Sequence, residues 1–347
     1  MTVSTASVRA VGVTTYGGPD ALQVVEVPKQ ELGPTEVRVR VTAATINPTD
    51  TYTRNGSRSK TGTPRGAADV PGMDIAGTLV EVGEDANTSL SVGDRVMGIV
   101  VPRDDHGAYR EDIVLPARSI TAAPRDADDI AASTLPMNGL TARRALDLLG
   151  LEPGQVLAVT GAAGSTGGYV IQLAKHDGLV VVADASEADE ELVRSLGADQ
   201  IVRRGEGVAD RILELYPDGV DGLFDGSVQE AAVLPAVKTG GGVATVRWYQ
   251  GDGQHDLQVH PVSVADMAEE QEKLDELRQL AEDGVVTLRV ADSYAPEDAW
   301  QAHERLEAGG TRGRLVIDFT RRCAGGAGGW GGTGVSGALR VGTPRLR

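Results

Sequence analysis

The stretch Val156-Leu-Ala-Val-Thr-Gly-Ala-Ala-Gly-Ser-Thr-Gly-Gly168 holds the residues whose spacing most directly implies chemistry. Gly161, Gly164 and Gly167 recur at every third position between an apolar run and the amphipathic segment 169–175. A backbone without Cβ atoms at those points can turn tightly, admit an anionic group and pack a following helix on the preceding strand. The start of that helix then offers free N–H groups and a positive dipole end, which suits a pyrophosphate. Glycine also serves a strand-to-helix turn for steric reasons alone, so the loop by itself leaves both readings standing. On the nucleotide reading Gly161, Ala162, Ala163, Gly164, Ser165, Thr166 and Gly167 are the contact residues.

Such a loop has to be positioned by a strand and a helix inside a covered sheet. From about 126 to 283 strand and helix signals alternate, which predicts a parallel sheet with helices on both faces. The expected strands are 155–159, 180–183, 200–202, 222–224 and 242–246, with helices centred on Ile171, Leu192, Leu213 and Val233 and a further helix over 266–282. Before this region, β-rich runs broken by Gly, Pro and Asp (24–27, 37–41, 77–82, 95–101) predict a compact β domain; alternation in 37–41 sets valines on one face and arginines on the other. After it, a helix over 297–307, with Trp300 and Leu306 on its buried side, and a strand over 313–319 are placed to return to the first domain. The divisions are therefore 1–125, 126–284, 285–320 and a glycine-rich disordered tail, 321–347.

With 347 residues, two domains are the default expectation. A net charge of −17 at pH 7 disfavours nucleic acid and anionic membrane as partners, because both would be repelled over much of the surface. No run of 18 apolar residues and no apolar leader core occurs, so the expectation is a cytoplasmic protein. The one cysteine, Cys323, excludes an internal disulfide and a cysteine-built metal site.

Taken in order, several segments resemble the zinc-independent quinone oxidoreductase branch of the medium-chain dehydrogenase/reductase superfamily. They are Asn47-Pro-Thr-Asp-Thr-Tyr-Thr-Arg-Asn-Gly56, Pro71-Gly-Met-Asp-Ile-Ala-Gly77, Val92-Gly-Asp-Arg-Val96 and Gly107-Ala-Tyr-Arg-Glu111. Leu135-Pro-Met-Asn-Gly-Leu-Thr-Ala142, the glycine loop, Leu192-Val-Arg-Ser-Leu-Gly-Ala-Asp199 and Thr311-Arg-Gly-Arg-Leu-Val316 follow. The resemblance spans most of 8–319. It implies an α/β protein: a GroES-like β-rich barrel, a Rossmann doubly wound domain, a C-terminal return to the barrel, and an active site in the cleft between domains.

The resemblance also implies roles for particular residues. Zinc-dependent relatives carry a cysteine within the segment matching 45–50 and a His-Glu pair where this chain has Met73-Asp74. A thioether beside one carboxylate cannot make the three-ligand open site of a catalytic zinc, so no metal is expected. The histidines, His106 among them, read as surface or turn residues. What remains is hydride transfer from a dihydronicotinamide to a quinone or an α,β-unsaturated carbonyl. Asn47, Asp50 and Tyr52 then line the barrel side of the cleft, with Tyr52 donating to the acceptor oxygen and the product protonated by solvent or Tyr52. Asp50 reads equally as a helix cap and Tyr52 as a packing residue. Asn138 and Thr141 belong beneath the nicotinamide; for Thr141 a hydroxyl bonded to its own helix backbone is the alternative.

At the adenosine ribose, Asp184 favours NADH, and the lysine that quinone reductases place within the segment 186–190 is missing. Ser186, Arg203 and Arg204 favour the 2′-phosphate of NADPH, which is the expected cofactor with NADH as the other possibility; solvated loop arginines are the alternative. The segment 247–250 either walls the acceptor pocket or packs between domains. A homodimer is implied. Two further functions stay open: an enoyl-thioester reductase of the same superfamily, and a nucleotide-binding regulatory protein without turnover.

Overall fold

The computed structural model describes residues 6–251, 253 and 256–321. Nearly all of the tail expected over 321–347 lies outside the described residues. The apolar alternation of the first third becomes β1 (Ser7–Gly12), β2 (Gln23–Pro28) and β3 (Glu36–Thr45), then the short helix α1 (Asp50–Arg54). β4 (Asp74–Val82), β5 (Arg95–Ile99), β6 (Asp112–Pro116) and β7 (Ile120–Ala122) complete this part. β3 is its spine, pairing antiparallel with β4 on one side and β6 on the other. Val37, Val39 and Val41 point into a core shared with Ile75, Leu79 and Ile113. Arg40 faces water as the alternation requires, but Arg38 does not: it is buried, held by Glu81 at 2.9 Å and Asp112 at 2.8 Å. A buried guanidinium persists only with such partners.

Two helices, α2 (Asp129–Ala132) and α3 (Pro136–Leu149), lead into the second sheet, the break between them falling just before Pro136. That sheet alternates β8 (Val156–Thr160), α4 (Ser165–His176), β9 (Val180–Ala185), α5 (Glu190–Ser195), β10 (Gln200–Arg203), α6 (Val208–Leu215), β11 (Val220–Asp225), β12 (Val237–Thr245) and β13 (Gln258–Pro261). Its strands are parallel in the order β10-β9-β8-β11-β12-β13. The order reverses beside β8, and the crevice at the carboxyl ends of the strands there is where doubly wound sheets bind ligands.

Three sequence expectations change within this domain. A sixth strand, β13, was not expected; its four residues carry too short a pattern to stand out. The segment Glu230–Ala236 is a 3₁₀ helix rather than an α-helix, with Pro235 inside it removing a donor. The last helix of this domain, α7 (Gln271–Glu282), starts later than expected, after a separate 3₁₀ turn at Val264–Met267.

The chain then forms β14 (Val290–Tyr294), α8 (Ala299–Ala308) and β15 (Arg314–Asp318). β15 pairs antiparallel with β3, so the C-terminal elements belong to the first sheet. On α8 the buried residues are Ala299, Ala302 and His303, whereas Trp300 is exposed, contrary to the periodicity reading. The seam between the two sheets is thus lined by α3, α4 and the residues flanking β15. No helix among the described residues is long and apolar enough to cross a membrane.

Candidate active site

Where β8 ends, Gly161 takes φ +69°, a left-handed conformation that L side chains avoid, and a Cβ on it would lie 2.8 Å from the Gly226 carbonyl carbon. Gly167 is needed for space: a Cβ there would lie 2.3 Å from the Gly161 oxygen. Gly164 is the N-cap of α4 and has no capping side chain, so the first-turn N–H groups are left to a ligand. Two groups brace the loop from below. Ala162 N donates to Asp184 Oδ1 at 3.1 Å, and Arg289 donates to the carbonyls of Ala163 at 3.2 Å and Gly164 at 2.6 Å.

Beside the loop lies a buried knot of polar side chains. Thr166 Oγ1, in the first turn of α4, donates to Asn138 Oδ1 at 2.5 Å, and Asn138 Nδ2 donates to Asn47 Oδ1 at 3.2 Å. Asn47 in turn donates through Nδ2 to Asp74 Oδ2 at 2.6 Å and through its backbone N–H to Asp50 Oδ2 at 2.7 Å. Asp74 Oδ1 accepts from Met137 N at 2.5 Å. From β15, Arg314 donates to Asn47 Oδ1 and to the Ile46 carbonyl, its charge facing Asp74 and Asp50. Burial pushes Asp74 up to about 7 and Asp50 up to about 6, the hydrogen bonds and Arg314 opposing it in part. Asp50 Oδ1 has no partner among the described residues.

The knot continues toward the surface. Tyr109 OH donates to Asp50 Oδ2 at 2.7 Å and lies 3.2 Å from His303 Nε2, while Arg54 Nη1 lies 3.2 Å from His303 Nδ1. Arginine has only donors, so Nδ1 accepts and Nε2 carries the proton. Burial and the Arg54 charge hold His303 down to about 3, which keeps it neutral. The expectation that the histidines are surface residues therefore fails for His303, which is fully buried.

A catalytic zinc does not fit these residues. It needs three ligands and an open position. Asn47 and both oxygens of Asp74 are already engaged, Met73 Sδ accepts from Thr49 Oγ1 at 3.3 Å, and Arg314 supplies the positive charge facing the carboxylates. Among the described residues no group of three or more His, Cys, Asp or Glu side chains could hold a metal ion.

The structure thus brings Asn47, Asp50, Asn138 and Thr166 together and leaves other expected residues apart. Tyr52 is half-buried on α1 with Arg58 stacked 5.1 Å over its ring, and no hydrogen bond ties it to the knot among the described residues. Thr141 spends its hydroxyl on the Met137 carbonyl at 2.6 Å, the backbone-bonding alternative. Asp184 is turned under the glycine loop and is buried, not presented to a ribose. Ser186 donates to Asp189 Oδ2 at 2.5 Å. Arg203 pairs with Glu187 at 3.2 Å in the open, and Arg204 has no ion pair among the described residues. In the 247–250 segment, Arg247 and Trp248 have positive φ and Trp248 is exposed, while Tyr249 packs against the core.

Three arginines were missed: Arg289, Arg312 and Arg314. The last two lay in view within the Thr311–Val316 motif. What singles them out is their placement at the domain seam, which no local pattern encodes.

Comparisons with known proteins place this geometry. The family model described as Alcohol dehydrogenase GroES-like domain matches residues 33–125, and that described as Zinc-binding dehydrogenase matches residues 196–317. The chain is 30% identical over 322 residues to a quinone oxidoreductase of Pseudomonas aeruginosa, covering 87% of this chain and 97% of the relative. It is 33% identical over 241 residues to a chloroplastic NADPH-dependent alkenal/one oxidoreductase of Arabidopsis thaliana, 67% of this chain and 60% of that one. The chain spans about three fifths of the length of the plant relatives it matches. A mycobacterial protein solved in complex with NADPH superposes with a TM-score of 0.77 at 28% identity, covering 89% of this chain and 99% of that structure. A β-rich domain closed by its own C-terminal strand, a doubly wound sheet, and a bacterial relative matched over nearly its whole length all lead to one conclusion. The chain belongs to the medium-chain dehydrogenase/reductase superfamily, in which the relatives it matches include a quinone oxidoreductase and an alkenal/one oxidoreductase.

Proposed function

We propose that this protein transfers a hydride from NADPH to a quinone or an α,β-unsaturated carbonyl compound, without a metal. The observation that carries the reading is the continuous hydrogen-bonded line from Thr166 through Asn138 and Asn47 to Asp74, which ties the glycine turn to the barrel wall. When bound, the dihydronicotinamide supplies the hydride, two electrons and a proton in one step. The chain's residues do the rest. The glycine turn, the start of α4 and Arg289 hold the diphosphate; Asn47 and Asn138 set the floor against which the ring is oriented; the seam excludes water. For an enone the hydride goes to the β-carbon and a proton, from solvent or Tyr52, to the α-carbon, so the C=C bond is reduced. The relatives named for quinone and for alkenal/one reduction support this acceptor class.

We also propose a homodimer paired along β13, one of the two edge strands of the parallel sheet. Sedimentation at micromolar protein tests it, and a monomer removes it.

Loss of reduced-nicotinamide absorbance on mixing the protein with NADPH and a panel of quinones and enones is the direct test. Tight cofactor binding with no consumption across the panel would overturn the enzymatic reading in favour of a regulatory nucleotide-binding protein. Tyr52→Phe should cut enone turnover about tenfold or more if its hydroxyl supplies the proton. Unchanged turnover removes Tyr52 from the chemistry.

A further inference from the structure

At the adenosine end of the crevice, the residues that a ribose would meet are not those the strand end advertises. Asp184, the acid in β9, is buried and accepts from Ala162 N at 3.1 Å, so its carboxylate serves the glycine turn. Immediately after β9 stand Ser186 and Asp189. Asp189 is almost enclosed, with 7% of its side chain exposed, and it receives both arms of Arg312: Nε to Oδ1 at 2.5 Å and Nη2 to Oδ2 at 2.7 Å. Ser186 Oγ donates to the same carboxylate. Arg312 comes from the approach to β15, in the other sheet, and is one-third exposed.

The cations expected here have weaker footing. Arg203 is half-exposed and its partner Glu187 is 87% exposed, a pair that water screens. Arg204 makes no ion pair among the described residues, though its charge reaches Asp189. Arg312 alone is held in a two-point fork, and a fork that fits a carboxylate also fits a phosphate.

Building on the dinucleotide reading above, we infer that Arg312 reads the 2′ position of the adenosine ribose, and that Asp189 is the internal competitor which a 2′-phosphate displaces from it. Selection of NADPH over NADH then rests on a residue lent by the C-terminal return, not on the loop after β10. The phosphate brings about two negative charges where Asp189 brings one, which drives the exchange. Asp189, once released, keeps Ser186 and the nearby Arg204 charge. Because the Arg312–Asp189 pair joins the two domains, the same exchange opens one strap across the seam.

Calorimetric titration of the full chain with adenosine 2′,5′-bisphosphate and with 5′-AMP reads this without turnover. The wild type should bind the bisphosphate at least about tenfold more tightly, and Arg312→Gln should reduce that ratio to about one. Asp189→Asn should raise the ratio, a gain that a misfolded variant cannot produce. Arg203→Gln should leave it unchanged, and inorganic phosphate at equal concentration should not compete. A ratio retained in Arg312→Gln, lost in Arg203→Gln, or lowered in Asp189→Asn overturns the inference, as does competition by free phosphate. A wild type that binds AMP as tightly as the bisphosphate overturns it while leaving the dinucleotide reading intact. Failure of the wild type to bind either nucleotide or NADPH overturns both.

Discussion

The glycine turn and the polar knot beside it make one cleft by opposite means. The turn is backbone: its glycines lie within one short stretch, and they leave the first N–H groups of α4 without a side-chain cap. The knot is side chain: Asn47, Asp50, Asp74, Asn138 and Arg314 come from four separated segments, and all are buried. Backbone dipoles need no partner from elsewhere in the fold. Buried charges do, because each loses its hydration and must regain it from neighbours. The difference teaches that this fold can shape the turn from neighbouring residues but can bury the charged knot only by closing the first sheet with its last strand.

If that contrast is right, the largest effect comes from breaking the knot. Arg314→Met should destabilise the protein by about 3–5 kcal/mol in chemical denaturation, since two carboxyls then share no buried cation. A loss below about 1 kcal/mol would mean that hydrogen bonds alone suffice. The knot also sets a pH limb. Asp74 is raised from the ordinary 3.8 to about 7, mainly by burial, so the folded state keeps a proton that the unfolded chain releases. Its contribution is greatest below about 4 and is lost as pH rises toward 7. Urea midpoints should fall across that range, and Asp74→Asn should flatten the limb.

Breaking the turn should act on binding more than on folding. Gly167→Ala forces a Cβ into the Gly161 carbonyl, a strain of about 1–3 kcal/mol that should weaken NADPH binding roughly 10- to 100-fold in a fluorescence titration. Equal affinity would show that the loop can shift aside. The smallest effect is expected at the exposed rim: Arg203→Ser should change stability by less than about 0.5 kcal/mol, because both it and Glu187 stand in water.

The parts of this protein that were legible in its residues share one property, which is locality. Alternating valines in β3 and the strand–glycine–helix unit from Val156 to His176 each state their structure within a few positions. Trp300 misled because apolar periodicity says which residues can be buried, whereas the packing partner decides which ones are. His303 misled for the converse reason: a lone histidine reads as surface until Tyr109 and Arg54 are brought to its two nitrogens. Asp184 read as a ribose acid because it stands in the right strand. Only the fold turned it inward to the loop's N–H group.

By itself, then, the amino-acid order determined a doubly wound sheet with a glycine turn between its first strand and helix, and a β-rich domain before it. Those are statements about steric freedom and periodicity, which single residues carry. Tertiary structure alone decided that Arg314 faces Asp74, that Arg289 lies under the turn, and that Arg312 reaches Asp189 across the seam. A guanidinium's role is set by what it meets: Arg314 and Arg312 meet carboxylates, and Arg289 meets two carbonyls, each brought from a distant part of the chain.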